Sequence, residues 1–124
     1  MAGASVSPSA IGVVGRTRAI LKPTQDALSR DGIVWADLDE ENPAGVRVAT
    51  MHSAKGLEFA RLAVVGVNAD ALPLPIAVTP AAEDEMQYGY DVLRERCLLY
   101  VACTRARDEL MITGSGAPSL LLPI

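Results

Sequence analysis

Three clusters of polar side chains in this sequence could do chemistry. They occupy residues 16–18, 50–59 and 104–107, and each offers a hydroxyl group together with permanent cations or an imidazole. Such groups bind phosphate oxygens through charge-assisted hydrogen bonds. Ser53 is next to His52, but nothing local would orient the imidazole as a general base. The residue types therefore favour phosphate binding over covalent catalysis.

Each cluster also has a purely structural interpretation. Arg16 and Arg18 could be solvated charges at the end of a strand, and Arg105 could form a surface ion pair worth little to stability. Lys55-Gly56 is not a Walker A loop, because the upstream glycine and the following Ser or Thr are missing. Taken one at a time, these features leave the function open.

Length and charge limit the class of protein. The chain has 124 residues, half of them hydrophobic, which fits one domain with a buried core. Its formal net charge is −4, from 11 basic and 15 acidic residues. Because phosphate neutralisation supplies most of the affinity of nucleic-acid binders, this charge counts against autonomous DNA binding. It counts less against a domain that forms one wall of a shared groove.

Membrane, disulfide and metal chemistry are not predicted. No apolar run reaches the roughly 18 residues that a membrane span needs, and the N-terminus lacks the pattern of a secretory signal. We therefore predict a cytoplasmic protein without a membrane partner. Cys97 and Cys103 are six residues apart in one predicted helix, which places them on different faces. With a single histidine in the chain, no metal site is expected.

Short apolar blocks alternate with helical patterns along the chain. We predict helices from about Ile20 to Arg30 and from Thr79-Pro80 to about residue 103. The predicted strands are 11–15, 33–35, 46–50, 62–67 and 109–113. This alternation predicts an α/β fold, a mostly parallel sheet flanked by helices. Ligands of such sheets bind beyond the carboxyl ends of the strands, where we expect the polar clusters to lie.

The second predicted helix carries an apolar stripe. Its members recur at spacings of three and four residues, which predicts one buried face. They are Met86, Tyr90, Leu93, Cys97 and Tyr100. We expect residues 1–10 to be a flexible lead-in, residues 11–114 to form the domain and residues 115–124 to be a loose tail.

Taken together, the polar clusters resemble motifs of the UvrD/Rep branch of superfamily 1 DNA helicases. Residues 50–59, Thr-Met-His-Ser-Ala-Lys-Gly-Leu-Glu-Phe, resemble motif V. Residues 95–106, Glu-Arg-Cys-Leu-Leu-Tyr-Val-Ala-Cys-Thr-Arg-Ala, resemble motif VI. Residues 11–17, Ile-Gly-Val-Val-Gly-Arg-Thr, are similar to the shorter motif IVa. The order of the motifs agrees, and the resemblance runs from about Ile11 to Thr113.

The resemblance implies a fold and a set of partners. The fold would be RecA-like, a P-loop NTPase-like sheet without its own P-loop, and the chain would be the second (2A) core domain of a helicase. Such motors couple ATP hydrolysis to 3′-to-5′ movement on single-stranded DNA. The implied partners are single-stranded DNA and a first, Walker-bearing RecA-like domain of the same parent protein. The implied cofactors are ATP and Mg²⁺ in the complete helicase, with none bound to this chain alone.

The same resemblance implies roles for individual residues. Arg105 would be the catalytic arginine finger that reaches the γ-phosphate across the cleft between two domains. Glu58 would contact the ribose region of ATP, and Gly56 would allow a close backbone approach. The residues implied for DNA binding are Arg16, Arg18, Thr50, His52 and Ser53.

The sequence departs from the family pattern at several positions. It has no Walker A or Walker B sequence, so we predict that the isolated chain does not hydrolyse ATP. Cys97 takes the place of the second motif VI arginine, Arg18 stands where asparagine is common, and Leu74 follows Pro73 where histidine is frequent. Roughly thirty residues separate motifs IVa and V, too few for the inserted accessory subdomain of the larger helicases, which points to a compact variant. Starting at motif IVa suggests a piece of a longer protein.

Two alternatives from other classes stay open. The first is a non-catalytic RecA-like module for protein interaction or regulation, which the acidic balance and the missing ATP-binding half favour. The second is a small independent nucleotide-binding protein, which the lack of a glycine-rich phosphate turn disfavours.

Overall fold

The computed structural model describes residues 6–38, 40 and 44–123. The sequence also predicts an acidic turn from Asp39 to Gly45, and most of that turn lies outside the described residues. The strands are β1 (Ile11–Gly15), β2 (Trp35–Asp37), β3 (Val46–Thr50), β4 (Phe59–Val64) and β5 (Ala106–Ile112). The helices are α1 (Arg18–Arg30) and α2 (Glu85–Cys103), and short 3-10 turns cover Pro8–Ala10 and Pro75–Ala77. No helix in these ranges is long and apolar enough to cross a membrane.

All five strands are parallel and lie in the order β2-β3-β1-β4-β5. Successive side chains of the central strand β1 point to opposite faces of the sheet. Val13 belongs to the core cluster that contains Leu21 of α1, and Val14 to the cluster that contains Leu98 of α2. The two helices therefore cover opposite faces, and the prediction of a parallel α/β sheet between helices is confirmed.

α1 begins two residues before its predicted start. The hydroxyl of Thr17 accepts a hydrogen bond from the backbone nitrogen of Ile20 at 3.3 Å and caps the helix. The sequence also predicts Pro23 in the first turn of this helix and a C-terminal stop at Gly32. Pro23 instead lies in the second turn, because the helix begins earlier. The stop is confirmed, because Gly32 follows the C-cap residue Asp31 with a φ of 73°.

α2 begins at Glu85, and the prediction that Thr79-Pro80 starts it is wrong. The cap is Asp84, whose carboxylate accepts from the backbone nitrogen of Gln87 at 3.0 Å. The backbone nitrogen of Thr79 instead donates to the carboxylate of Asp91 at 2.8 Å. The segment before α2 therefore packs against the helix and does not extend it.

The predicted buried stripe of α2 is also wrong. Its members are exposed, with Met86 at 71%, Tyr100 at 67%, and Tyr90, Leu93 and Cys97 also accessible. The buried residues of this helix are Asp91, Glu95, Leu98, Leu99 and Ala102. Two carboxylates on the buried face have hydrogen-bond partners from other parts of the chain. Apolar periodicity cannot detect a buried face that is partly built from paired acids.

The bounds of β1 and β3 match the prediction, whereas the other three strands are shifted. The backbone nitrogen of Ile33 donates to the carbonyl of Leu28 at 2.8 Å, which delays β2 to Trp35. β4 and β5 both start three residues early, because Phe59 pairs with Ala106.

Residues 117–122 pack against the domain instead of forming the expected loose tail. Ser119 and Leu121 are buried. The hydroxyl of Ser119 donates to the carbonyl of Leu72, and the backbone nitrogen of Ala69 donates to the carbonyl of Ala117 at 2.9 Å. The segment therefore closes over the loop that follows β4.

Candidate nucleotide and DNA interface

The residues predicted to bind DNA start from the carboxyl edge of the sheet. Gly15 at the end of β1 pairs with Thr50 at the end of β3. Arg16 and the residues after Thr50 therefore leave the sheet from neighbouring positions. This arrangement agrees with the expectation for ligand sites of parallel sheets.

The residues predicted to bind the nucleotide lie at the opposite, amino edge. The backbone nitrogen of Phe59 in β4 donates to the carbonyl of Arg105 at 2.8 Å, so Glu58 and Arg105 flank adjacent strand starts. The expectation that all three polar clusters lie at carboxyl ends is wrong for these two residues, since each precedes its strand. Their main chains nevertheless meet at one place.

Residues 51–58 join the two edges by crossing the face of the sheet that α2 covers. Met51 and Ala54 are buried in the core cluster on that face. Gly56 has a φ of 80°, a conformation that favours glycine, and no atom lies within 4 Å of the position that a Cβ would take. That open space leaves room for the close approach predicted at Gly56.

Arg105 holds a buried nitrogen without a hydrogen-bond partner. Its Nη2 donates to the hydroxyl of Thr104 at 3.1 Å, and that hydroxyl donates to the carbonyl of Val101 at 2.6 Å. Its Nε is enclosed and has no acceptor among the described residues. A buried donor left unpaired costs about 1–3 kcal/mol. The Nε of Arg47 is enclosed and unpaired in the same way, so this feature does not by itself mark a ligand site.

Glu58 is an exposed carboxylate beside Arg105. Within the described part of the chain no ion pair holds it. Its charge reaches Arg107: the hydrogen-bonded Asp108 first, and Glu58 more weakly, raise the pKa of the Arg107 guanidinium. An exposed carboxylate can accept hydrogen bonds from ribose hydroxyls, so the position fits the predicted contact.

Arg16 is held in a buried ion pair that the sequence did not reveal. Its Nη2 donates to Oε2 of Glu95 at 2.9 Å, and its Nε lies 3.1 Å from Oε1. The two side chains are only 12% and 4% exposed. Arg16 is therefore not a solvated strand-end charge, and only its Nη1 makes no hydrogen bond to the described residues.

Arg18 is exposed on the first turn of α1, and its Nη1 lies 3.3 Å from Oδ1 of Asp37. This contact directs the side chain toward the end of β2. DNA binding by Arg18 stays a prediction.

Of the remaining residues predicted for DNA, His52 lines a cavity of about 360 Å³ between residues 51–58 and α2. Three cations, Arg16, Lys55 and Arg94, line it together with one carboxylate, Glu95, so we call it the positive cavity. Burial, and then the charges of Arg16 and Lys55, lower the pKa of His52, while Glu95 opposes them. Thr50 and Ser53 do not line the cavity, and their hydroxyls lie 3.1 Å apart.

Sequence reasoning missed the acids that build this cavity. Glu95 entered only as the first residue of the motif VI match, and Asp91 was not considered. Their spacing of one helical turn was the available signal, since acids four residues apart share a face. Lys55 lies within the motif V match, but the sequence predicts no separate role for it or for Arg94.

A second cavity, of about 650 Å³ and mainly apolar, lies between α2, β5 and residues 120–123. Across the described ranges, no three side chains of His, Cys, Asp or Glu come together as ligands for a metal ion.

The five-stranded parallel sheet between α1 and α2 is the α/β architecture of a RecA-like domain. Residues 25–116 match the family described as UvrD-like helicase C-terminal domain. The chain belongs to this family.

Relatives of known sequence and structure agree with the family. The ATP-dependent DNA helicase PcrA of Staphylococcus aureus (strain MRSA252) is 42% identical over 86 residues, which cover 68% of this chain and 11% of that helicase. PcrA of Staphylococcus epidermidis (strain ATCC 12228) is 40% identical over 81 residues, 64% of this chain and 10% of that protein. The match therefore spans about a tenth of the length of these relatives.

A solved structure is similar over most of the chain. It is the C-terminal domain of a possible DNA helicase from Lactobacillus plantarum WCFS1, with a TM-score of 0.62 and 27% sequence identity. The similarity covers 90% of this chain and 60% of that one.

Proposed function

We propose that this chain is the second core domain of an ATP-dependent 3′-to-5′ DNA helicase or translocase. In the complete protein it supplies Arg105, Glu58 and Gly56 to an ATP site whose other half, with Mg²⁺, belongs to a first RecA-like domain. Its carboxyl edge forms one wall of a groove for single-stranded DNA, with Arg16, Arg18, Thr50, His52 and Ser53. The PcrA relatives are named ATP-dependent DNA helicases, which supports this proposal.

The guanidinium of Arg105 carries the ATP half of the proposal. Its Nη2 is ordered by a hydrogen bond to Thr104, and no carboxylate among the described residues forms an ion pair with it, so its charge can act on a phosphate oxygen. Bound ATP would supply the phosphoryl group that is transferred to water. Arg105 would bind the oxygens of that group and stabilise their developing charge, while Glu58 would orient the ribose.

The test uses the chain alone and joined to a Walker-bearing first domain from a relative. We expect no ATP hydrolysis by the chain alone and DNA-stimulated hydrolysis by the joined protein. Arg105→Ala should lower kcat by about 10³-fold or more, since an arginine finger contributes at least that much. Steady-state release of phosphate measures both.

Arg107→Ala is the matched control, because Arg107 is two residues away in β5 and already paired with Asp108 at 3.1 Å. It should hydrolyse ATP at nearly the unaltered rate. Equal turnover in Arg105→Ala and the unaltered protein would remove Arg105 from the proposed role.

The positive cavity carries the DNA half of the proposal. Anisotropy measures the binding of a fluorescent oligothymidylate to the joined protein at low salt. This binding should weaken in Arg16→Ala and in His52→Ala. Lys22→Ala is the control, because Lys22 is an exposed cation on α1 that does not line the cavity. Equal losses in all three variants would show non-specific attraction and contradict a groove at this edge.

The exposed outer face of α2 favours a second candidate function, a protein-interaction module without catalysis. Met86 and Tyr100 at its two ends are both more than half exposed. The two candidates differ at Arg105, which only the ATPase function requires.

A further inference from the structure

Glu95 joins three separate parts of the molecule at one wall of the positive cavity. It lies in the middle of α2 and is 3% exposed. Its Oε1 accepts from the backbone nitrogen of Leu74 at 2.8 Å, and both of its oxygens accept from Arg16. One carboxylate thus fixes α2, the end of β1 and the proline-containing loop before α2.

The loop before α2 has a second anchor on that helix, one helical turn before Glu95. Asp91 accepts from the backbone nitrogen of Thr79 at 2.8 Å and from the side chain of Gln87 at 2.8 Å. Between these two anchors the loop brings Ala77 to the cavity wall. The carboxylates of Asp91 and Glu95 therefore determine the position of this cavity wall.

The ion pair also fixes which part of Arg16 can reach a ligand. Nε and Nη2 are taken by Glu95. Nη1 is the nitrogen without a hydrogen bond to the described residues, and Arg16 lines the same cavity as His52 and Lys55. A buried ion pair is a poor source of stability, because desolvation offsets most of the attraction. The ion pair does, however, fix one edge of the guanidinium in place. An apolar pair of equal volume could not do this.

We propose that Glu95 is a positioning residue for single-stranded DNA: it orients Arg16 and the loop wall so that Nη1 of Arg16 meets a backbone phosphate beside His52 and Lys55. This inference rests on the proposed DNA groove. Glu95 does not itself touch the DNA, since its oxygens are occupied and its charge repels phosphate.

The sign of one substitution separates positioning from simple electrostatics. Glu95→Gln removes a negative charge beside a phosphate site, so electrostatics alone predicts tighter DNA binding. Positioning predicts the opposite, because the neutral amide no longer holds the guanidinium. We expect oligothymidylate binding by the chain joined to a first domain to weaken at least threefold in Glu95→Gln, while the variant chain retains its circular dichroism and its cooperative urea unfolding.

Two further measurements would be unaffected if Glu95 had a merely structural role. They are the salt dependence of DNA binding and the affinity of a double variant. The slope of log affinity against log salt concentration should fall by about 0.7 in Glu95→Gln, the value for one lost phosphate contact on a single strand. Arg16→Ala should show the same fall. The double variant Glu95→Gln with Arg16→Ala should lose less affinity than the sum of the two single losses, because Glu95 acts in part through Arg16, and fully additive losses would contradict this coupling.

The outcomes distinguish this inference from the proposed function. If Arg16→Ala weakens binding while Glu95→Gln tightens it or leaves it unchanged, the positioning role is overturned and the groove stands. If the unaltered joined protein fails to bind at low salt, or if Arg16→Ala and His52→Ala bind as tightly as it does, both are overturned. Should Glu95→Gln lose its cooperative unfolding, Arg16→Lys serves instead: it keeps the charge, lacks the planar fork, and must weaken binding for the inference to hold.

Discussion

Arg16 and Arg105 are residues of one type whose surroundings give them different chemistry. Arg16 is saturated on two nitrogens by a buried carboxylate, whereas Arg105 keeps a buried nitrogen without an acceptor among the described residues. The ion pair fixes the orientation of the Arg16 guanidinium, whereas Arg105 keeps one hydrogen-bond donor without an acceptor in the described part of the chain. His52 shows a third effect, because burial, and then the neighbouring cations, lower the pKa of its imidazole.

The lowered pKa of His52 predicts a pH dependence of DNA binding. A phosphate placed beside the imidazole favours its protonated form, so binding takes up a proton and affinity rises as the pH falls. We expect oligothymidylate affinity to increase roughly three- to tenfold from pH 7.5 to pH 5.5, since one unit of pKa shift corresponds to a factor of ten. Anisotropy titrations at constant ionic strength measure this change.

His52→Gln is the matched control for that titration, because it keeps a hydrogen-bonding side chain that does not titrate. Its affinity should be nearly independent of pH over the same range. Identical pH profiles for the two proteins would assign the dependence to another group.

At the scale of elements, α2 does two tasks with one face. Its C-terminal half packs Leu98, Leu99 and Ala102 into the core, and its N-terminal half offers Asp91 and Glu95 to polar partners. The helix therefore connects two regions: it ends near Arg105, and its first half holds the loop that forms one wall of the cavity. This division explains why an apolar stripe did not identify the buried side.

Asp91 predicts a stability effect with a defined pH window. Hydrogen bonds from Thr79, then from Gln87, lower its pKa to about 2, below that of an unfolded aspartate. A lowered folded-state pKa means that the carboxylate stabilises the fold above about pH 4, and that this contribution disappears as the pH falls toward about 2. Asp91→Asn should therefore lower the free energy of unfolding at pH 7, with a difference from the unaltered chain that narrows between pH 4 and pH 2.

Urea unfolding at a series of pH values measures that difference. Asp26→Asn is the control, because Asp26 is an exposed partner of Lys22 on α1 and such pairs contribute little. A difference for Asp91→Asn that stays constant from pH 7 to pH 2 would rule out the ionised carboxylate as the stabilising form.

At the scale of the whole molecule, three layers of close-packed side chains hold the two edges at fixed positions. Gly12 in the central strand shows how tight this packing is. A Cβ built there would lie 2.8 Å from ring atoms of Phe59, which is itself buried in the core between the sheet and α2. Glycine in β1 therefore lets the start of β4, and with it Glu58, come close to the centre of the sheet.

Gly12→Ala should lower the free energy of unfolding by about 1–3 kcal/mol, the usual cost of overpacking a core. Urea denaturation measures it, and adding Phe59→Leu should recover part of the loss by making room. The control is Gly89→Ala on α2, where nothing lies within 4 Å of the new methyl group. That variant should be more stable by up to about 1 kcal/mol, because alanine has the higher helix propensity.

Sequence patterns alone determined the class of fold, the order of strands and helices, the bounds of β1 and β3, and the family. These features depend on local signals: β-branched apolar blocks, a glycine after α1, and two motifs read along continuous stretches of chain. Tertiary structure decided which face of α2 is buried, that Arg105 and Glu58 lie at the amino edge, and that residues 117–122 pack on the domain. The physical reason is the separation of the partners: Arg16 and Glu95 are 79 residues apart, and Ser119 and Leu72 are 47 apart. The sequence around a carboxylate or hydroxyl does not show whether water or a distant group will be its hydrogen-bond partner. Only the tertiary structure determines that partner.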